Sequence, residues 1–271
     1  MHPFINIGFF KIPLYGLCIA SGLLLGGLLI YFACKFKKKN FYDFLILAAM
    51  SLAFGFAGAK LLFLFTSYPL KQIPKVIAAL LLGGNKNTIG QGFVFYGGFI
   101  GGFAGMLLGC KIAGCKITEF FEEITFLIPL VHGFGRLGCT FGGCCYGIPY
   151  EGPFALHYHN PITSVTPHIG IFPVQPLESL LLFTFAAVMI FLYFRRVKLN
   201  LLWYITYYSV VRFVLEFFRG DLERGHAGLF STSQWISICL FIISLGFSIF
   251  LILKKKNHSE ETDKNSATQS D

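Results

Sequence analysis

Charged residues are scarce in this chain. Asp, Glu, Lys and Arg together make up 13% of its 271 residues, about half the ~25% of an ordinary soluble domain. With 55% hydrophobic residues and a mean hydropathy of +0.67, that scarcity excludes a soluble globular fold. No polar segment is long enough for a separate soluble domain. A basic n-region ahead of a short apolar core is also missing, which argues against a cleavable signal peptide. There is no internal repeat of the kind that builds inverted-repeat transporters. The paired CxxC elements of tetrahedral metal sites are missing too.

Long apolar runs fill the chain instead. About 20 helical residues cross the hydrocarbon core, and spans of that order read at 12–34, about 43–65, 91–112, 117–135, 175–194, 199 to about 218, and 234–253. Residues 68–88 read as a loop whose 75–82 segment forms an amphipathic surface helix. The expected fold is therefore all-α and polytopic, with seven transmembrane helices in one domain over residues 1–256. Residues 257–271 are polar and aperiodic and read as a disordered tail.

The formal charge of +9 does not point to nucleic acid, because the basic residues sit just beyond apolar runs. Lys35 to Lys39, Lys111 with Lys116, Arg195, Arg196 and Lys198, and Lys254 to Lys256 fall on one face of a seven-span topology. The positive-inside rule makes that face cytoplasmic. The amino terminus and the 138–172 and 220–233 loops then lie outside, and the carboxy terminus is cytoplasmic.

Glycines at four-residue spacing, Gly22 with Gly26 and Gly97, Gly101 and Gly105 beside Gly98 and Gly102, form small faces for close helix packing. Gly97 and Gly98, directly after Tyr96, are also a place where bare backbone can meet a lipid headgroup. Arg136 opens Gly135-Arg136-Leu137-Gly138-Cys139-Thr140-Phe141-Gly142-Gly143-Cys144-Cys145-Tyr146-Gly147, and a cation at the edge of an apolar span needs an anion or a wet cavity. Tyr15, Gln175, Glu178, Arg212, Glu216 and Arg219 stand near the same outer ends. Arg212 and Glu216 are one turn apart and can pair. One reading makes that pair a structural salt bridge and leaves Arg136 snorkelling to the interface. The other has two arginines on separate helices clamp a phosphate, whose oxygens a guanidinium matches bidentately.

These residues carry a resemblance. The Gly135-Arg136-Leu137-Gly138 motif with Gly147, the 172–178 element FPVQPLE, the 212–219 stretch RFVLEFFR, Ser233-Gln234-Trp235-Ile236-Ser237, Pro13-Leu14-Tyr15-Gly16-Leu17 and Phe95-Tyr96-Gly97-Gly98 resemble the bacterial prolipoprotein diacylglyceryl transferases, the Lgt family. The likeness covers nearly the whole chain in order, except the tail. It implies a multi-pass enzyme of the cytoplasmic (inner) membrane that moves diacylglyceryl from phosphatidylglycerol to the lipobox cysteine of a prolipoprotein signal peptide. No cofactor and no metal are implied. By that resemblance Arg136 and Arg212 grip the lipid phosphate, and Glu216 positions Arg212 or handles the proton. Tyr15 lines the site with Gln175 and Glu178, and Gly147 lets the loop backbone turn close to the lipid.

The departures fall on the acceptor side. Tyr96 stands where the family usually has a histidine proposed to take the thiol proton, and a phenol near pKa 10 is a poorer base. Cys139 replaces the usual asparagine, Gly142-Gly143-Cys144 the Asn-Gly-Glu segment, and Leu177 a tyrosine. His132, one turn before Arg136, is the alternative base, or else a packing residue. Glu122 and Glu123 read as an interfacial face.

Of the eight cysteines, Cys18, Cys34 and Cys239 read as packing residues within apolar helices. Cys110 and Cys115 fall at a cytoplasmic turn, where disulfides are not expected. Cys139, Cys144 and Cys145 cluster at the outward site. A disulfide or a thiol that transiently carries lipid suits them better than a metal shared with His157, His159 and His168. Besides the transferase, the same residues fit a non-catalytic phospholipid-binding or transport protein, or a transferase to a different thiol acceptor.

Overall fold

The computed structural model describes residues 3–7, 10–69, 71–81, 94–158, 169–198, 201–220 and 226–268. It divides into two compact units, Met1–Ile30 with Glu122–Asp271, and Tyr31–Phe121. The described helices are α1 Leu14–Lys37, α2 Phe41–Ser67, α3 Ile73–Leu81, α4 Phe95–Ala113, α5 Ile117–Ile124, α6 Leu127–Gly142, α7 Val174–Phe194, α8 Leu201–Glu216 and α9 Thr232–Thr268. Two short antiparallel hairpins, β1 Phe4–Ile7 with β2 Phe10–Pro13 and β3 His226–Ala227 with β4 Phe230–Ser231, modify the all-α expectation. The first leads directly into α1, and the second into α9.

Among the described residues, five helices are long and apolar enough to cross a membrane: α1, α2, most of α4, α7 and the Thr232–Leu251 part of α9. Helices α6 and α8 have 16 residues each, about 24 Å of rise against a hydrocarbon core of ~30 Å. The apolar run expected as a single fourth span is two helices. Pro129 is the reason, because its ring would clash with the carbonyl of Thr125 in a continuous helix. It is tolerated in the first turn of α6, where its missing N–H costs no helical bond. Arg136 does not end this helix, as the sequence suggested. α6 continues to Gly142 and closes at Gly143, whose φ of 73° lets its N–H reach the Cys139 carbonyl at 3.0 Å.

In the first unit α6 packs on α7 and α8 on α9. Ser179 Oγ donates to the Gly133 carbonyl at 2.8 Å, and a Cβ on Gly133 would come 2.7 Å from the Phe183 ring. Val174, Val211 and Leu215 form a buried cluster between α7 and α8, beside the Phe185–Tyr207 stack with centroids 4.1 Å apart. The stretch after α6 is a folded cap. Bridges join Gly147 to Arg219, and Pro149 and Leu156 to Ile171. Tyr158, buried in this cap, donates to the Thr140 carbonyl at 2.5 Å. Burial pushes its phenol above the usual range, so it stays a donor. His159 and His168 lie outside the described residues. At the far end of α9 the helix runs on through the polar segment to Thr268.

The second unit rests on contact between α2 and α4. A Cβ on Gly97, Gly101 or Gly105 would sit 2.2–2.3 Å from the carbonyl oxygens of Gly58, Phe54 or Met50. Only glycine permits backbones that close, so the stripe legible in the sequence is a helix-packing face. Asn40 caps α2 by accepting from the Tyr42 N–H at 3.2 Å.

Candidate active site

The site in the first unit is assembled from α6, α7, α8 and the start of α9. Tyr204, Tyr208, Arg212 and Glu216 recur every four residues and so share one face of α8. Glu178, on the first turns of α7, is fully buried. Its Oε1 lies 2.9 Å from Arg136 Nε and accepts from the Tyr208 hydroxyl at 2.8 Å. Arg136 Nη2 donates to the same hydroxyl at 3.4 Å. The cation, carboxylate and phenol thus close a triangle from three helices. Removing one charge would leave the other buried without its partner.

A second ion pair lies farther along α8. Arg212 Nη2 donates to Glu216 Oε2 at 2.5 Å and to Ser233 Oγ at 3.3 Å. Glu216 Oε1 accepts from Ser231 Oγ at 2.9 Å, and Arg219 Nε stands 3.8 Å from Glu216 Oε2. Ser231 and Gln234 cap α9 reciprocally. Ser231 N–H donates to Gln234 Oε1 at 2.9 Å and Gln234 N–H to Ser231 Oγ at 3.2 Å. That cap fixes the serines that hold the Arg212–Glu216 pair.

Tyr208 stands one turn before Arg212 on the same face of α8, so the two pairs follow each other along that face. Arg212 Nη1 and Glu178 Oε2 are buried with no hydrogen-bond partner among the described residues. An unused donor on a buried guanidinium suits an anionic oxygen.

His132, a turn before Arg136, has its Nδ1 2.8 Å from the Tyr204 hydroxyl and its ring edge-on to Tyr208 at 4.7 Å. Tyr15, half exposed at the start of α1, lays its ring against Gly138. Gln175 is buried and donates from Nε2 to the Cys144 carbonyl at 3.0 Å. Gly147 is bare because a Cβ there would sit 2.3 Å from the Phe172 carbonyl. Its close neighbour is this chain's own backbone.

The structure thus brings together Arg136, Glu178, Arg212, Glu216, His132, Tyr15, Gln175 and Gly147 in one unit. Tyr96, Gly97 and Gly98 belong to the other, at the start of α4, where Tyr96 is 69% exposed and Gly97 packs on α2. Glu123 is buried and accepts from the Tyr193 hydroxyl, whereas Glu122 is exposed. Tyr204, Tyr208, Ser231 and Ser233 were not expected at the site. The four-residue spacing back from Arg212 was the signal for the two tyrosines.

The family model described as prolipoprotein diacylglyceryl transferase matches residues 3–250. The chain belongs to that family. Among its relatives, the phosphatidylglycerol–prolipoprotein diacylglyceryl transferase of Clostridium tetani is 32% identical over 89% of this chain and 93% of its own length. A second, from Clostridium perfringens, is 31% identical over 94% of this chain and 96% of its own. That of Paenarthrobacter aurescens is 28% identical over 95% and 83%. The matched residues span every helix segment that contributes to the site.

Proposed function

We propose that this protein is a phosphatidylglycerol–prolipoprotein diacylglyceryl transferase. The observation that carries the reading is the pair of guanidiniums on α6 and α8, Arg136 held by Glu178 and Tyr208 and the buried Arg212 held by Glu216 and Ser233 with its Nη1 donor unused. In the reaction the sulfur of the lipobox cysteine forms a bond to the terminal glyceryl carbon, whose bond to the phosphate oxygen breaks. Glycerol phosphate leaves with the bonding electron pair, and the thiol proton ends on it. Charge therefore accumulates on the departing phosphate. Arg136 and Arg212 meet that charge with fixed donors, which stabilise the transition state more than the ground state. Glu178 and Glu216 hold the two guanidiniums in place, so little reorganisation is needed as the bond breaks. Tyr15 and Gln175 line the site.

The proton is taken by His132, which stands beside Arg136, or by Tyr96, which occupies the family's histidine position. Residues 1–256 form one multi-pass domain of the bacterial cytoplasmic membrane with seven crossings, the amino terminus outside. The 257–271 tail and the basic loops lie in the cytoplasm, as positive-inside charge requires. The test is transfer of labelled diacylglyceryl from phosphatidylglycerol to a lipobox peptide by the purified chain. Binding of phosphatidylglycerol without transfer would favour a lipid-binding or transport protein instead.

A further inference from the structure

The three cysteines after Arg136 converge. The Sγ atoms of Cys139, Cys144 and Cys145 all lie within 4.8 Å of one another. Cys139 comes from the last turn of α6, and the other two follow the helix-ending turn at Gly143. Cys145 itself has a φ of 60°, a conformation that is strained for a non-glycine residue and clusters at functional sites. Two left-handed residues within three positions fold the chain back on itself and bring both later thiols toward the helix end. Gln175 from α7 holds the Cys144 carbonyl. Arg219 is tied to this loop by its bridge to Gly147.

We infer that Cys139, Cys144 and Cys145 bind one thiophilic divalent cation of the zinc class as three thiolates, leaving a fourth position for the acceptor thiol. Zn–S bonds of about 2.3 Å place tetrahedral sulfurs about 3.8 Å apart, so the trio closes by an ångström or less. A disulfide would use two of the thiols and leave the third unexplained. Three protein ligands and one open position is the arrangement of catalytic zinc sites. Three thiolates on a divalent cation carry one net negative charge, which Arg219 on the Cys145 side offsets.

The role of the open position rests on the transferase reading. Metal coordination keeps a thiol deprotonated at neutral pH, so the proton that the base takes in the transferase reading is readily released. The acceptor thiol gives up its proton on binding. Its sulfur forms the bond to the glyceryl carbon, the carbon–oxygen bond breaks, and the phosphate leaves with the electron pair and accepts the proton. The product thioether is a weaker ligand and departs. The metal undergoes no change of oxidation state.

Reduced full-length protein in detergent, titrated with Co2+ and then Zn2+, tests both halves. The expected result is one Co2+ per chain with sulfur-to-metal charge-transfer absorption, displaced by one Zn2+. Cys139→Ser, Cys144→Ser and Cys145→Ser should each weaken binding by more than the roughly 10- to 100-fold that loss of a supporting outer partner costs. A lipobox peptide should shift the ligand-field bands, and its Cys→Ser analogue should not. Sub-stoichiometric binding, or charge-transfer bands that survive the serine substitutions, would overturn the site. Bands that ignore the peptide thiol would overturn its role. Wild-type transfer measured in parallel reports on the transferase reading separately, because metal binding needs no turnover.

Discussion

At the scale of single residues, the site depends on charges that cannot be removed one at a time. Glu178→Ala should leave the Arg136 guanidinium buried without its carboxylate. Breaking such a pair costs about 3–5 kcal/mol, to be read as a lowered thermal midpoint in detergent. Glu178→Gln keeps an acceptor for Tyr208 and should be milder. His132 and Tyr96 divide the remaining question. If His132 takes the thiol proton, His132→Gln should lower transfer by roughly 10²–10⁴-fold and Tyr96→Phe should have little effect. If Tyr96 takes it, the ranking reverses and Tyr96→His preserves or raises transfer. Comparing transfer rates of the three variants at saturating phosphatidylglycerol decides between them, and two unaffected variants would discard both assignments. Arg136, Arg212 and Glu216 were legible in the sequence because ions in apolar surroundings need partners. The Glu178–Arg136 pairing was not, since it joins helices 42 positions apart in sequence, and no local spacing predicts which carboxylate meets which cation.

At the scale of elements, spans of near-continuous apolar length read well and interrupted ones did not. Helix α7 matches its expected span within a residue. The fourth run looked continuous because hydropathy does not register the clash of Pro129 with the preceding turn. The α2–α4 contact yields a graded test. A Cβ on Gly101 would lie 2.2 Å from the Phe54 carbonyl oxygen, whereas one on Gly102 would find its nearest atom, the Ser51 carbonyl oxygen, at 3.5 Å. Gly101→Ala should therefore destabilise by about 1–3 kcal/mol, and Gly102→Ala by clearly less. Thermal unfolding of the two variants in the same detergent checks the ranking. Equal midpoints would mean that this close packing contributes nothing to stability.

At the scale of the whole molecule, the proposed orientation rests on where the basic residues fall and is open to direct labelling. In intact cells, with native exposed thiols replaced, Phe154→Cys should react with an impermeant maleimide and Lys256→Cys should not. The reverse pattern would invert the topology and put the arginine site on the wrong side for a lipobox peptide. The central claim is that Arg136 and Arg212 together hold the departing phosphate. Its most direct measurement is diacylglyceryl transfer from labelled phosphatidylglycerol to a lipobox peptide by the purified wild type, Arg136→Ala and Arg212→Ala, with the lysine variants beside them. Loss of one such charge-stabilising contact is worth roughly 10²–10³ in rate. The account predicts at least that loss in each alanine variant, poor rescue by lysine for want of the planar fork, and unchanged membrane insertion; near-normal transfer in both alanine variants would contradict it.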